Sequence, residues 1–512
     1  MSTPPQTGAL GERKLSTIHA VAQALAIGPM FSIALVESSI SRPDIGAGWN
    51  ATLAVLFASL GVMAIGYVVA LYARRFAGAG AVYEYLTRGA HPSVGIFASG
   101  LYFVGTLFLG GGGIFLGLGI LMNGFWTAHI SATGAPAWWI FALIMIVFVL
   151  ALNYLGVRIA IRVMLTFAAI ALLPMLALGI VIVAKGGNGG NTLTMFDPGQ
   201  TSLLGVSGGG VLGGVLLGIL LFVGFEAAAS IGEESHDPHR SIPRAVLWTV
   251  AAAGTLFTFM AYAFSIGYGK AAVAKGAWAL DPASVDTMGT RYIGSWFSTI
   301  LDLIVILDAI GLALAICVTI GRGYFALGRD GLLPRVFART SRFDTPWVGN
   351  LMVAVGGIGL ILLSTGAHYG SLFGATVGGK FVATFPTNEF ATFIMAATVG
   401  SFAVEFVYLM LAAAMIRLLY KSGGKPWQYL VTVIAIATPV LGFYGALNPG
   451  PHNSSNYNYV ALYFTLAVIA LAALWFAVCR MAFPQRVANA AQHATEHHGV
   501  PPLDEAVDFT AT

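Results

Sequence analysis

One acidic residue lies inside an apolar stretch that is interrupted by a glycine. The stretch from Leu220 to Val246 reads LLFVGFEAAASIGEESHDPHRSIPRAV and contains Gly224 and Glu226. A charged residue at the bilayer centre costs about 2.5–3.5 kcal/mol, so intramembrane acids usually face a cavity, an ion or a substrate. Since glycine has no Cβ, the helix can unwind at Gly224 and turn free backbone groups toward a ligand. The stretch predicts a binding site; the alternative is a packing glycine beside a hydrogen-bonded acid.

A second interruption occurs in the first apolar segment, which contains AIGPMFSIAL. Pro29 lacks an N–H and would clash with the carbonyl four residues earlier, so the helix is expected to open around Gly28 to Phe31. Amides freed there could hold a carboxylate; the alternative is a proline kink without ligand contact. The predicted substrate-binding residues, including an aromatic residue of the third segment, are Ile27, Gly28, Pro29, Met30, Phe31, Tyr102, Phe222, Val223, Gly224, Phe225 and Glu226.

Three acidic residues are predicted to lie near the membrane centre. A rise of about 1.5 Å per residue from the segment starts places Glu226, Asp308 and Glu405 at that depth, without a Lys or Arg. Unpaired acids there favour a protonated state, a coupling cation or a substrate with a positive amine. Each acid could instead be hydrogen-bonded to backbone. The predicted coupling or gating residues, for H⁺ or Na⁺, are these three acids and the hydroxyl of Thr319.

The composition indicates a membrane protein. Hydrophobic residues make up 57% and charged residues 9% of the chain, whereas about 25% charged is usual for soluble domains. The small excess of 25 Lys and Arg over 21 Asp and Glu predicts no nucleic-acid partner. Cys317 and Cys479 both lie in apolar runs, so neither a disulfide framework nor a metal cluster is indicated. We expect no cofactor or metal, and the lipid bilayer as the surroundings.

Twelve apolar segments are long enough to cross the bilayer. Helices are expected, because only helices and closed barrels satisfy their backbone groups in lipid. The segments are predicted to start near Thr17, Ala51, Ser93, Ala137, Ile159, Gly209, Pro243, Gly294, Trp347, Phe390, Trp427 and Tyr459.

The distribution of Lys and Arg predicts the orientation. If the N-terminus is cytoplasmic, six basic residues lie outside and the other 19 of the 25 lie inside, which satisfies the positive-inside rule. The sequence therefore predicts a multi-pass protein of the plasma membrane with both termini in the cytoplasm. The six outer residues are Arg42, Lys185, Lys270, Lys275, Arg291 and Lys380.

Two motifs carry a family resemblance. The segment-6 stretch resembles the aromatic-x-Gly-Phe-acid, Glu-Glu and Ile-Pro-Arg-Ala pattern of the amino acid-polyamine-organocation (APC) superfamily, and Gly321 to Pro334, GRGYFALGRDGLLP, resembles a second signature of these permeases. The resemblance covers most of Leu15 to Arg480. It departs from the family in segment 1, where Pro29 and Met30 replace the second and third members of a Gly-Ser/Ala-Gly run. The matching segment-6 residues are Phe222, Gly224, Phe225, Glu226, Glu233, Glu234, Pro238 and Ile242 to Ala245.

The resemblance implies an all-α polytopic membrane protein with a leucine-transporter-like fold, in which a 5+5 inverted repeat precedes two peripheral helices. The matching positions of the interruptions in segments 1 and 6 favour the same arrangement. The predicted units are an N-terminal segment 1–14, helices 1–5 in 15–184, helices 6–10 in 185–420, helices 11–12 in 421–480 and a flexible tail 481–512.

The function implied is that of a secondary active transporter for an amino acid or related organic amine, which works by alternating access around segments 1 and 6. A polyamine or other organic cation is the alternative substrate. A channel or a transporter-like sensor is the alternative outside this class. The oligomeric state is not readable. The sequence contains no recognisable catalytic set, so an enzyme is not expected. Segment 5 has no ionisable residue between Arg162 and Lys185, unlike relatives that couple transport to protons through a lysine there.

Overall fold

The structure is a computed structural model. It describes residue 10 and residues 15–43, 46–204, 210–281, 283–367, 374–377, 380–383, 385, 387–448 and 457–487. The predicted flexible tail beyond Val487, and most of the predicted N-terminal segment, lie outside these residues.

The described residues form an all-α polytopic membrane protein, as predicted. Eleven helices are long and apolar enough to cross a membrane, and a twelfth apolar helix, Trp138–Tyr154, has 17 residues. At about 1.5 Å per residue this shorter helix still approaches the thickness of the hydrocarbon layer. The predicted starts are close to the observed ones except in segment 7, where the helix begins at Pro238 instead of Pro243.

The first six segments and their connections contain helices α1 to α10, a π-helix and short 3-10 helices. Segment 1 is divided among α1 to α3, segment 3 includes a π-helix, and segment 6 ends in a 3-10 helix. The bounds are α1 Thr17–Ala24, α2 Pro29–Leu35, α3 Glu37–Ile40, α4 Ala51–Ala73, α5 Val82–Gly89, α6 Pro92–Thr106, the π-helix Leu107–Gly113, α7 Ile114–His129, α8 Trp138–Tyr154, α9 Val157–Ala184, α10 Gly210–Leu220 and the 3-10 helix Phe225–Glu234.

The last six segments are continuous helices, and short elements connect some of them. Segments 7 to 12 correspond to α11, α14, α15, α16, α17 and α18. The bounds are α11 Pro238–Tyr268, α12 Lys270–Ala274, α13 Ser284–Tyr292, α14 Ser295–Arg329, α15 Trp347–Gly366, β1 Gly374–Val377, β2 Lys380–Ala383, α16 Asn388–Lys421, α17 Pro426–Leu447 and α18 Tyr457–Ala482.

The centre of the bundle consists of segments 6 and 8, and the periphery includes segments 11 and 12. Within the apolar stretch of each helix, 89% of the residues are buried in segment 6 and in α14. The buried share is 33% in α17 and 22% in α18. Helix α4 packs along α11, and α9 packs along α14. Because exposed apolar faces are stable in lipid, the two outer helices need no further protein cover.

One element departs from the expectation of helices alone. Strands β1 and β2 form an antiparallel hairpin in which Gly374 pairs with Ala383 and Val377 pairs with Lys380. The hairpin lies in the connection between α15 and α16. The rule that excludes open strand edges applies to the hydrocarbon layer, so it does not constrain a connection outside the spanning helices.

The glycine run of segment 3 serves close packing. Residues 110–113 lie in the π-helix, and a Cβ on Gly110 would lie 2.3 Å from Ile316. A Cβ on Gly112 would lie 2.2 Å from Leu360. Helices α14 and α15 therefore approach segment 3 more closely than a larger residue at these two positions would permit.

Candidate functional site at two helix interruptions

Segment 1 changes direction between α1 and α2. Helix α1 ends at Ala24, Gly28 has φ +51°, and Pro29 is the first residue of α2. Proline suits this first position because its missing N–H would be unsatisfied there anyway. A Cβ on Gly28 would lie 2.6 Å from Leu312 of α14, so glycine also lets α14 approach the interruption.

Segment 6 is interrupted at the same level of the bundle. Helix α10 ends at Leu220, Gly224 has φ +120°, and the 3-10 helix starts at Phe225. A Cβ on Gly224 would lie only 2.4 Å from the carbonyl oxygen of Ala26. The two interruptions therefore contact each other through their backbones.

Glu226 is buried at this contact. Its Oε1 accepts a hydrogen bond from the Tyr102 hydroxyl at 2.9 Å, and its Oε2 accepts from the Tyr408 hydroxyl at 2.7 Å and from Gly224 N–H at 3.1 Å. No Lys or Arg among the described residues forms an ion pair with this carboxylate. Its neutral donors join segment 6 to α6 and α16.

The amides at the start of α2 hold a carboxylate, but it belongs to the chain itself. Asp308 of α14 is buried, and its Oδ2 accepts hydrogen bonds from Met30 N–H at 2.9 Å and Phe31 N–H at 3.0 Å. Its Oδ1 accepts no hydrogen bond from a described residue. These two hydrogen bonds connect α14 to the interruption of segment 1.

An apolar cavity of about 480 Å³ adjoins Asp308. It lies between segment 1, α9, α11 and α14, and Asp308 is the only charged residue that lines it within the part of the chain that the structure describes. Among its lining residues, Leu172 of α9 and Thr255 of α11 are exposed on the surface of the bundle. The cavity offers hydrocarbon walls and one carboxylate.

Thr319 lies beside Gln23, one residue before the end of α1. Its hydroxyl accepts a hydrogen bond from Gln23 Nε2 at 3.1 Å and donates to the Ala315 carbonyl at 3.1 Å. Gln23 Nε2 also donates to that carbonyl at 2.8 Å. A sodium ion at Thr319 would need the lone pairs of these two oxygens. The amide of Gln23 already donates hydrogen bonds to both.

Glu405 is also separate from the two carboxylates at the interruptions. Its Oε1 accepts from Ser401 at 2.8 Å within α16, and its buried Oε2 has no hydrogen-bond partner among the described residues. It lies three residues before Tyr408 on the same helix. Glu405 therefore borders the Glu226 cluster without a hydrogen bond to it.

The remaining predicted residues divide between the site and the core. Phe225 packs 5.7 Å from the Tyr408 ring, beside Glu226. Phe222 instead packs edge to face on Phe257 of α11 at 5.1 Å, which makes it a core residue. Val223 is buried at the interruption.

Segment 1 satisfies some of its own freed groups. The Ser32 hydroxyl donates to the carbonyl of Ile27 at 2.8 Å. The ring of Phe31 packs edge to face on Phe393 of α16 at 5.8 Å. Ile27 therefore contributes its backbone carbonyl to the interruption, and Phe31 contributes its amide N–H. The ring of Phe31 packs in the core.

The basic end of the bundle, defined here as the end that contains Arg322 and Arg329, is closed by ion pairs. Arg329 contacts Glu233 at 3.0 Å, and Arg322 contacts Glu234 at 2.6 Å. The backbone of Leu15 pairs with the chain on either side of Ser235. The two sequence signatures thus meet, and segment 6 is connected to α14 and to Leu15, just before α1.

Helix α5 adds Glu84 to this cluster, 3.7 Å from Arg329 and 3.9 Å from Arg88. Burial raises the pKa of Glu84, and repulsion from Glu233 raises it further, whereas Arg88 and Arg329 oppose the shift. Acidification therefore removes negative charge from Glu84 as the pH falls through its raised pKa, which weakens its attraction to Arg329.

Comparison with known proteins identifies the family. A family model described as amino acid permease matches residues 20–485. The chain belongs to the amino acid permease family. This agrees with the predicted APC superfamily membership and with a transport protein in place of an enzyme.

Individual relatives of this permease are distant. It is 25% identical over 48% of its length to the lysine-specific permease LysP of Lactococcus lactis, covering 50% of that protein. It is 22% identical over 64% of its length to the low-affinity putrescine importer PlaP of Escherichia coli, covering 70% of it, and 26% identical over 44% to the methylthioribose transporter of Bacillus subtilis, covering 48%. An uncharacterized transporter of Mycobacterium tuberculosis is 28% identical over 41% of the chain and is covered over 46%. Except for PlaP, the alignments span about half of each relative.

Sequence reasoning missed two residues of this permease's site region, Tyr408 and Gln23. Tyr408 gave no local signal, because its partner Glu226 is 182 positions away. Gln23 did give a signal, since it is an amide-bearing residue inside an otherwise apolar segment. A buried amide must find partners, and this requirement could have identified it.

Proposed function

We propose that this permease is a secondary transporter that moves an organic amine, either an amino acid or a related amine, by alternating access around the interruptions in segments 1 and 6. The observation that carries the proposal is Glu226, a buried acid without a basic partner that lies where the two interruptions touch. A carboxylate in that position suits a substrate with a positive charge.

The named relatives support an amine substrate. Lysine and putrescine, the substrates in two of their names, both carry amino groups, although methylthioribose does not. A polyamine or other organic cation without a carboxylate is the second candidate, because Asp308 already occupies the amides of Met30 and Phe31. A channel or a sensor is the candidate outside this class.

The ion pairs at the basic end support alternating access. Arg329 with Glu233 and Arg322 with Glu234 connect α14 to segment 6. A path from the interruptions to this end would have to separate them. The interruptions at Gly28 and Gly224 supply points where half-helices can tilt without unfolding the rest of each segment.

A direct test is uptake by proteoliposomes that contain the purified permease and no other protein. We expect saturable uptake of at least one labelled amine, with initial rates that reach a plateau as its concentration rises. Empty liposomes are the control. Rates that stay proportional to concentration up to the solubility limit of every amine tested would favour a channel.

We further propose that the basic end faces the cytoplasm and that both termini lie there, in the plasma membrane. Single cysteines at His236 and Arg335, which are exposed, are expected to resist an impermeant thiol reagent in intact cells, whereas a cysteine at the exposed Lys275 should react. The native Cys317 and Cys479 are buried and give little background. Reaction of the cysteine at position 335 in intact cells would show that the basic end faces outward.

Transport is expected to be independent of sodium. The Gln23 amide already uses the oxygens of Ala315 and Thr319, so a sodium ion there would first have to displace two hydrogen bonds. Uptake should therefore be equal in sodium and choline buffers at the same ionic strength. A stimulation of about tenfold or more by sodium, which corresponds to about 1.4 kcal/mol of coupling, would contradict this assignment.

A further inference from the structure

Asp308 fills a position that a substrate carboxylate could otherwise take. The interruption of segment 1 frees the amides of Met30 and Phe31, and both point at Asp308 Oδ2, at 2.9 and 3.0 Å. Asp308 has 4% of its surface exposed, so it is built into the protein and is not a surface acid that happens to lie nearby. A substrate carboxylate would have to displace two charge-assisted hydrogen bonds to bind there.

The surroundings of Asp308 also disfavour a second carboxylate. The cavity of about 480 Å³ next to it contains no Lys or Arg in its lining, and its other polar lining side chains are those of Thr249 and Thr255. A substrate carboxylate would enter an apolar space next to a residue of the same charge. Burying an anion without a positive partner is strongly unfavourable.

The same features suit an ammonium group. Oδ1 of Asp308 accepts no hydrogen bond from a described residue, so it can accept one from a ligand. Leu25, Met30, Leu176 and Phe259 line the adjoining cavity and can cover a hydrocarbon skeleton. A small amine with an apolar body therefore matches the site in both charge and polarity.

We infer that Asp308 is a specificity-determining residue: it stands in for a substrate carboxylate at the interruption of segment 1, so the permease takes primary amines without a carboxylate and excludes α-amino acids. This inference rests on the proposed transport of an organic amine and chooses between its two substrate classes. Asp308 binds an ammonium group of the substrate through Oδ1 and holds α2 in place through Oδ2.

The test uses pairs of ligands that differ only by the carboxylate: leucine and 3-methylbutylamine, ornithine and putrescine, and lysine and cadaverine. Binding to the purified full-length permease is measured by calorimetry and by the shift in Tm, because a ligand of the folded state raises Tm. We expect at least one amine to bind about 100-fold more tightly than its amino acid, the scale set by an unpaired buried charge. An amino acid that binds as tightly as its amine, or more tightly, would refute the inference.

Two variants separate the roles of Asp308. Asp308→Asn keeps an oxygen acceptor for the Met30 and Phe31 amides but loses the charge, so amine affinity should fall about tenfold or more while amino acids remain excluded. Asp308→Ala frees both amides, so the amino acid of the pair should gain affinity relative to wild type. Asp302→Asn is the matched control on the same helix, since Asp302 pairs with His129 and does not line the cavity.

The outcomes distinguish this inference from the proposed function. Preferential binding of an amino acid by the wild type would overturn the role of Asp308 and leave amine transport standing. If folded wild type and folded Asp302→Asn bind neither member of any pair, this result would count against both the role of Asp308 and the proposed amine transport. If Asp308→Ala does not fold, the ligand pairs and Asp308→Asn still decide, because unchanged amine affinity in Asp308→Asn refutes the ammonium contact.

Discussion

Replacement of Glu226 by glutamine is expected to leave the permease folded and inserted but to reduce amine uptake by about 100-fold or more, the loss that corresponds to about 3 kcal/mol for one partner of a buried charge pair. Glutamine has a similar shape, and its amide can still bond to the hydroxyls of Tyr102 and Tyr408, which donate or accept. The change removes mainly the charge. Initial uptake rates in proteoliposomes, normalised to the amount of folded protein, measure the effect.

The tyrosine variants serve as a graded comparison. Tyr102→Phe and Tyr408→Phe each remove one hydrogen bond to Glu226 and keep its charge, so each should reduce uptake about tenfold at most. Glu389→Gln, at the start of α16, is the control for loss of a carboxylate outside the site. If Glu226→Gln transports like wild type from acidic to neutral pH, Glu226 is a structural residue and the proposed site is wrong.

Gly224→Ala is expected to abolish uptake and to lower the Tm of the permease. Gly224 has φ +120°, and a Cβ there would lie 2.4 Å from the backbone carbonyl of Ala26. The unfavourable backbone conformation alone costs about 1–3 kcal/mol, and the clash separates the two interruptions. Uptake and the Tm of the detergent-purified variant are the two measurements.

Gly359→Ala is the matched control for this substitution. Gly359 lies within α15, and a Cβ there would meet no atom within 4 Å. Alanine favours a helix interior over glycine by about 1 kcal/mol, so this variant should be as stable as wild type or slightly more stable, with normal uptake. Wild-type uptake and Tm in Gly224→Ala would show that the interruption tolerates a side chain, contrary to the observed packing.

The sequence predicted the elements well because their signals are local. Apolar runs located the twelve segments. Gly28, Pro29 and Gly224 lie where the described helices end or restart. The start of α11 was placed five residues late, at Pro243. The helix begins with Pro238, which suits a first helical position. Its first turn is polar, so a boundary drawn from hydropathy alone leaves this turn out of the helix.

The partners of the site residues were less predictable because they are distant in the chain. Counting residues grouped Asp308 with Glu226, but the Met30 amide that donates to Asp308 lies 278 positions away. Residue types alone do not reveal which of several acids faces an interruption. The depth argument grouped Glu405 with the site, and the hydroxyl of Thr319 was a separate candidate for a coupling ion. Neither residue is hydrogen-bonded to Glu226 or Asp308 among the described residues.

Trans-stimulated exchange in proteoliposomes tests the central claim, transport of an organic amine by alternating access at the two interruptions, most directly. Liposomes loaded with an unlabelled amine that binds the permease are diluted into a trace of the same labelled amine. We predict transient accumulation of label above its equilibrium level in wild type, and none in Glu226→Gln or in empty liposomes. Label that enters without such accumulation, at a rate independent of the amine inside, would contradict a site that faces the two sides in turn.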